Sequence, residues 1–295
     1  MKRVAAILAI LNIAIWAGAQ TGTKTAPQTA PAGQTAAAPA AKRPPQAKTQ
    51  PEFDAYKAAA ANTDPAALEK AADDFAAKYP DSELRAVLCK NAMHLYQSAN
   101  NAEKTEVMGR KVLSFDPDDP DALTVVAEVI AERTRESDID KDQRYDEGVK
   151  MAQKALQTVD TDLPIPPGTP QEKVDAFKSG MRAQAYSTMG AINYNKSDFV
   201  SAQANFQKAI DADPTHPYAP DVLRLALSID KQATAVTNDH DAQQKLYTDA
   251  LKVANKAVDM TKDDNVIGQS ARRERDRLQA LAGTAAAPQS QPPKN

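Results

Sequence analysis

Apolar positions recur three and four residues apart between about residues 52 and 282, and the alternating Val, Ile, Thr or aromatic runs that strands need are almost absent. The pattern predicts a nearly all-helical fold. Prolines punctuate it just outside the helical segments or at their first position, where a missing N–H and a fixed φ do least harm. The breaks divide the chain into about five helical hairpins, at 52–80, 82–117, 120–160, 170–214 and 217–262, with a last helix over 265–282.

One stretch, 183–216, carries a specific motif. Tyr186, Met189-Gly190, Ala202, Phe206, Ala209 and Pro214 stand at the spacing of a roughly 34-residue helix–turn–helix repeat, with Asn195-Lys196-Ser197-Asp198-Phe199 at its inter-helix turn. This stretch closely resembles the tetratricopeptide repeat (TPR). Tyr145, Gly148 and Ala155, and Tyr247, Ala250 and Ala257, resemble its second helix; Phe115-Asp116-Pro117 resembles its ending. A shorter likeness, Ala71, Phe75 and Tyr79-Pro80-Asp81-Ser82, points to TPR proteins of bacterial envelopes.

The resemblance implies an all-α, right-handed α-solenoid of about five TPR-like hairpins with a C-terminal capping helix. Tyr186, Met189, Gly190, Ala202, Phe206, Ala209 and Pro214 are then packing residues: Gly190 and Ala202 let two helices approach, Phe206 and Ala209 fill the gap to the next hairpin, and Pro214 stops the second helix. It also implies a concave face, lined by the first helix of each repeat, that takes an extended peptide or a partner helix. The residues expected there are Gln184, Ser187, Ala191, Tyr194 and Asn195 in the best repeat, and Val87, Lys90, Asn91, His94 and Gln97 in an earlier one. Lys90, His94 and Tyr194 are the expected contacts. Chaperone-binding TPR domains clamp a C-terminal carboxylate with Lys and Asn, and Ser187 and Ala191 occupy those places here, so that ligand is not expected.

Two segments depart from the repeat. The 135–144 stretch is too long for a TPR turn, and Asp138, Asp140, Asp142 and Asp146 have the spacing of early EF-hand ligands, although Gln143 and Val149 replace the glycine and the closing glutamate. A specific calcium site is therefore not expected. A proline-rich insertion over 161–168 precedes Thr169-Pro170-Gln171-Glu172, which reads as a capping box. The apolar stripe Val174, Phe177, Met181, Ala185, Met189 and Ile192 then predicts a helix of about 25 residues. Its projecting end either packs on the proline loop, the favoured reading, or offers a partner surface.

The ends change the picture of where the protein works. Lys2 and Arg3, an apolar run over 4–16 broken by Asn12, and Ala17-Gly18-Ala19 read as a signal peptide over 1–19. Export to the periplasm is expected; an uncleaved inner-membrane anchor facing the periplasm is the alternative, and would be the chain's one membrane contact. Residues 20–50, rich in Ala, Pro, Thr and Gln, and the 283–295 tail have the composition of disordered segments, leaving 52–282 as the repeat domain.

A formal net charge of −3 from 36 basic and 39 acidic side chains has no excess to recruit nucleic acid. Cys89 is the single cysteine and lies in an apolar-periodic stretch, so it reads as a small core residue rather than a reactive thiol. His94, His216 and His240 lack the converging ligands zinc needs, and no nucleophile, zinc or phosphate motif is present. No cofactor, no metal and no catalysis are expected. Arg272, Arg273, Arg275 and Arg277 around Ile267, Leu278 and Leu281 fit a cap with one packed and one wet face; a basic docking surface is the sharper reading. The sequence thus points to an envelope scaffold that binds a protein segment. An accessory module for a glycan or small ligand, and a hydrolase with a pocket of converging acids, are its rivals.

Overall fold

A computed structural model describes residues 42–261 and 265–283. The expected signal peptide, the linker up to residue 41 and the tail beyond 283 lie outside these residues. Among the described residues the chain forms eleven α-helices: α1 Gln50–Ala60, α2 Pro65–Lys78, α3 Leu84–Ser98, α4 Ala102–Phe115, α5 Pro120–Arg133, α6 Lys141–Thr158, α7 Gln171–Asn195, α8 Phe199–Ala212, α9 Ala219–Ala235, α10 His240–Met260 and α11 Val266–Gly283. The fold is all-α: five TPR-like hairpins, α1–α2 to α9–α10, and a final helix.

Local chemistry explains these boundaries. Asp64, Asn101, Asp119, Asp198 and Asp239 are N-caps whose side chains accept a backbone N–H from the first turn, with Pro65 and Pro120 next in line at two of them. In the turns of the second and fourth hairpins Asn100 (φ 55°) and Ser197 (φ 60°) adopt the left-handed conformation. This geometry sends Asn101 N–H to the Tyr96 carbonyl and Asp198 N–H to the Asn193 carbonyl, both at 2.9 Å, satisfying carbonyls left open at the ends of α3 and α7.

By their contacts the described residues divide into two compact units, one up to residue 181 and one from residue 182 onward, with the division inside α7. The first unit packs Leu68, Leu84, Leu88, Met93, Met108, Val112 and Val125 into one core. Its α5 is buried from Pro120 through Ala131, on all sides of the helix. The second packs Ala202, Phe206, Val222, Ala226, Ala250, Ala254, Ala257, Ala271 and Leu278 together. There Gly190 faces Phe206 of its own hairpin: a Cβ built on Gly190 would stand 2.8 Å from the Phe206 ring, so only glycine allows this approach of α7 to α8.

The 25-residue helix is present as α7, and Val174, Phe177, Met181, Ala185, Met189 and Ile192 are all buried. Its N-terminal end is not a free projection. Phe177 and Met181 pack with Val159, Leu163 and Ile165 of the proline-rich insertion. The expected capping box is replaced: the Thr169 hydroxyl donates to the Pro166 carbonyl at 2.7 Å, closing the insertion on itself. The expected 135–144 loop is shorter, because α6 begins at Lys141 and carries Asp142 and Asp146 one turn apart on a helix. Asp138 accepts the Arg135 N–H at 2.8 Å. The linker also ends sooner than composition indicated, since residues 42–49 have defined partners.

Candidate functional site

The first unit brings the expected residues of α3 against the N-terminus of α5. Lys90 and His94 lie one turn apart on α3, and both turn toward aspartates. Lys90 Nζ is ion-paired with Asp119, which is 2% exposed and whose other oxygen accepts the Ala122 N–H at 2.9 Å as the cap of α5. His94 Nε2 lies 2.8 Å from Asp121 Oδ2, and its Nδ1 3.2 Å from Gln97 Oε1. With acceptors at both nitrogens, the ring fits its place as an imidazolium.

The electrostatics agree. Burial disfavours the charge on Lys90, but Asp119 and Asp121 outweigh it and hold the lysine above its ordinary pKa. Burial likewise opposes the charge on His94, and Asp121 and Gln97 reverse the outcome, raising it. Burial would raise Asp121; His94 and Lys90 pull it below the usual carboxylate range. Lys90 and His94 are thus held in internal ion pairs. Beside them Asn91 lines a cavity of about 90 Å³, walled by Val87, Leu163 and Phe177.

An extended segment of the chain itself covers this region. The backbone N–H of Lys42 donates to the Thr161 carbonyl at 2.7 Å, and its ammonium contacts both oxygens of Asp116 at 2.6 and 2.7 Å. The Arg43 guanidinium forms a two-pronged pair with Glu83 at 2.8 and 2.6 Å. Glu83 also accepts the Gln46 N–H at 3.3 Å, and its carboxyl is held below the usual range, chiefly by Arg43. Pro45 lines the cavity, and Ala47 packs against the first core. Residues 42–47 therefore lie as a short peptide against the start of α3, the end of α4 and the proline insertion.

The other expected contacts belong to the second unit. Ser187 is buried and donates to Asp221 at 2.7 Å, so it joins two first helices, α7 and α9. Gln184 is buried, Tyr194 is half-buried with its ring edge-on to Phe199 at 5.2 Å, and Asn195 is exposed at the end of α7. Burial, then Asp230 and Glu274, raises the Tyr194 phenol pKa. The arginines of α11 are engaged internally: Arg277 pairs with Asp230 at 2.5 Å and Glu274 at 2.9 Å, Arg275 pairs with Asp276 at 2.6 Å, and Arg273 donates to Ser270 at 3.2 Å.

Sequence reasoning missed Glu83, Asp116, Asp119 and Asp121 as the partners of these cations, and it missed the docked segment. A signal was available: the run Asp116-Pro117-Asp118-Asp119-Pro120-Asp121 and the basic pair Lys42-Arg43 ahead of two prolines.

Among the described residues no group of three His, Cys, Asp or Glu side chains is placed to hold a metal. Cys89 is fully buried, and burial pushes its thiol up to about 11, far from a usable thiolate. An open cleft of about 840 Å³ between α4, α5 and α6 is lined by Leu113, Leu123, Met151, Lys150 and Lys154 with no aromatic ring for a sugar to stack on. No helix among the described residues is long and apolar enough to cross a membrane.

No protein-family model matches the sequence, and no curated protein matches it. Among solved structures the chain is similar to PilW, a widely conserved type IV pilus biogenesis factor, at 17% identity over 81% of this chain and 100% of that one, with a TM-score of 0.39. It is similar to human IFIT1, solved as a dimer with m7Gppp-AAAA, at 15% identity over 74% of this chain and 52% of that one, TM-score 0.37. Acl4, an assembly chaperone of RpL4, shares 11% identity over 80% of this chain and 99% of its residues 1–338, TM-score 0.39.

Proposed function

We propose that this chain is a non-catalytic protein-interaction scaffold of the bacterial envelope, exported by a signal peptide cleaved after Ala19, which receives an extended segment of a partner protein along its first-helix surface. The observation that carries the reading is segment 42–47, which lies as a bound peptide does against the start of α3, the end of α4 and the proline insertion, through a backbone hydrogen bond to Thr161 and charged side chains, with Pro45 beside the α3 residues that line the cavity. The cavity beneath it, about 90 Å³, is smaller than the pockets of about 300 Å³ or more that hold small-molecule ligands.

A photo-crosslinking residue placed at Asn91, and separately at Val107 on the exposed face of α4, tests the reading in intact cells. A partner trapped from Asn91 and not from Val107 supports it. Trapping from Val107 alone moves the interface off the first helices and overturns it. Mass spectrometry of the purified periplasmic fraction checks the expected mature N-terminus, Gln20.

A further inference from the structure

The groove of the first unit carries its own occupant, and the contacts of that occupant define a chemistry. Four features of segment 42–47 make the match: a backbone N–H given to the Thr161 carbonyl, a lysine on Asp116, an arginine forked on Glu83, and two consecutive prolines, one against the cavity. The receiving surface is acidic, with Asp162 4.0 Å from the same lysine. Proline pairs favour the extended conformation before binding, so little chain entropy is lost on docking.

The segment is also held lightly. The Lys42 and Asp116 side chains are partly buried, at 34% and 21% exposure, but those of Arg43 and Glu83 are 62% and 42% exposed. Pairs this exposed are worth little individually. Nor does the segment fill its site: the 90 Å³ cavity remains between Pro45 and the α3 surface, and the Asn91 amide facing it has no side-chain hydrogen bond among the described residues.

Resting on the scaffold reading above, we infer that this groove is a recognition site for extended partner segments in which a Lys/Arg pair precedes prolines, and that residues 42–47 occupy it in cis until such a segment displaces them. The cis segment enters α1 within a few residues, so its effective concentration at the groove is on the order of millimolar. Against a segment whose own Kd is about 0.1 mM, this lowers the apparent affinity of a competitor about ten-fold.

The experiment uses the full mature chain and a fluorescent peptide with the sequence of residues 41–48, Ala-Lys-Arg-Pro-Pro-Gln-Ala-Lys. Fluorescence anisotropy is measured on the wild type, on Lys42→Gln/Arg43→Gln, and on that variant carrying Glu83→Gln/Asp116→Asn as well. Circular dichroism melts check that all three keep the same helical transition. The expected result is that the peptide binds the arm variant about ten-fold more tightly than the wild type, weakens with added salt, and is lost when the two groove carboxylates are neutralised. Equal binding to wild type and arm variant, or none to the arm variant, overturns the proposal. So does a wild-type dimer that becomes monomeric in the arm variant, because the segment is then exchanged between copies. If the peptide fails while Asn91 still traps an envelope protein, the partner chemistry is wrong and the scaffold reading stands; if both fail, both fall.

Discussion

His94 on α3 and Asp121 on α5 lie 2.8 Å apart, both largely buried, and join the first helices of two successive hairpins. The pair makes stability depend on pH in a definite direction. His94 is raised above its ordinary pKa near 6.5, so its contribution is complete below about 6.5 and is lost as pH rises through the folded-state value. Asp121 is depressed, so its contribution is complete above about 3.9 and is lost as pH falls through its folded-state value. Urea unfolding of wild type and His94→Gln from pH 5.5 to 8.5 should give a gap that is widest at the acid end, about 3 kcal/mol for a broken buried pair, and narrows toward the alkaline end. Parallel curves would remove His94 from the account.

Glycine is required at two helix crossings for the same physical reason. A Cβ at Gly190 would meet the Phe206 ring at 2.8 Å, and one at Gly109 would meet Val126 Cγ2 at 2.4 Å and Met93 Sδ at 3.2 Å. Alanine at either position gains about 1 kcal/mol of helix propensity and loses about 1–3 kcal/mol to overpacking, so both variants should be less stable. Adding Phe206→Leu to Gly190→Ala should recover part of the loss through relief of that one contact. A double variant no better than the sum of its singles would place the strain elsewhere.

The contrast between these glycines shows how much could be read from the sequence. Gly190 stood in a repeat whose spacing marked it as a place of close helix approach, although its neighbour there is Phe206 rather than Ala202; Gly109 has no such frame, and its partner Val126 lies on a helix whose packing only the fold reveals. Hairpin boundaries were legible because caps, prolines and helical periodicity are local. The groove residues were legible as positions on a helix face, but the role of Lys90, His94 and Ser187 depends on which aspartates the next first helix presents, and that is tertiary information. Segment 42–47 escaped because composition over 20–50 averages a docking sequence together with its low-complexity surroundings.

The turn after α7 offers a gain in stability. Ser197 is exposed and holds φ at 60°, a conformation that costs an L-residue roughly 1–2 kcal/mol, partly offset by the greater unfolded-state freedom of glycine. Ser197→Gly should therefore stabilise the chain by up to about 1 kcal/mol. Asn100→Gly in the equivalent turn should gain less, because asparagine tolerates this conformation. Thermal melts of the two variants decide it: a Ser197→Gly melting temperature at or below that of wild type would contradict the conformational argument.

Asp119 performs two tasks, capping α5 through one oxygen and pairing with Lys90 through the other, and the tasks can be separated. Lys90→Ala leaves a buried carboxylate without its cation and should cost about 3 kcal/mol. Asp119→Asn keeps a side-chain oxygen for the Ala122 N–H while removing the charge, so it preserves the cap. Combining the two removes the unpaired charge as well, and the double variant should be more stable than Lys90→Ala alone, with a coupling energy of at least about 1 kcal/mol in the cycle. The same cycle bears on binding. If Lys90 acts within the protein, as its burial against Asp119 implies, then Lys90→Ala should weaken partner capture only as far as it unfolds the chain, and the double variant should restore capture together with stability. Capture that stays lost in a stable double variant would make Lys90 a direct contact for the partner.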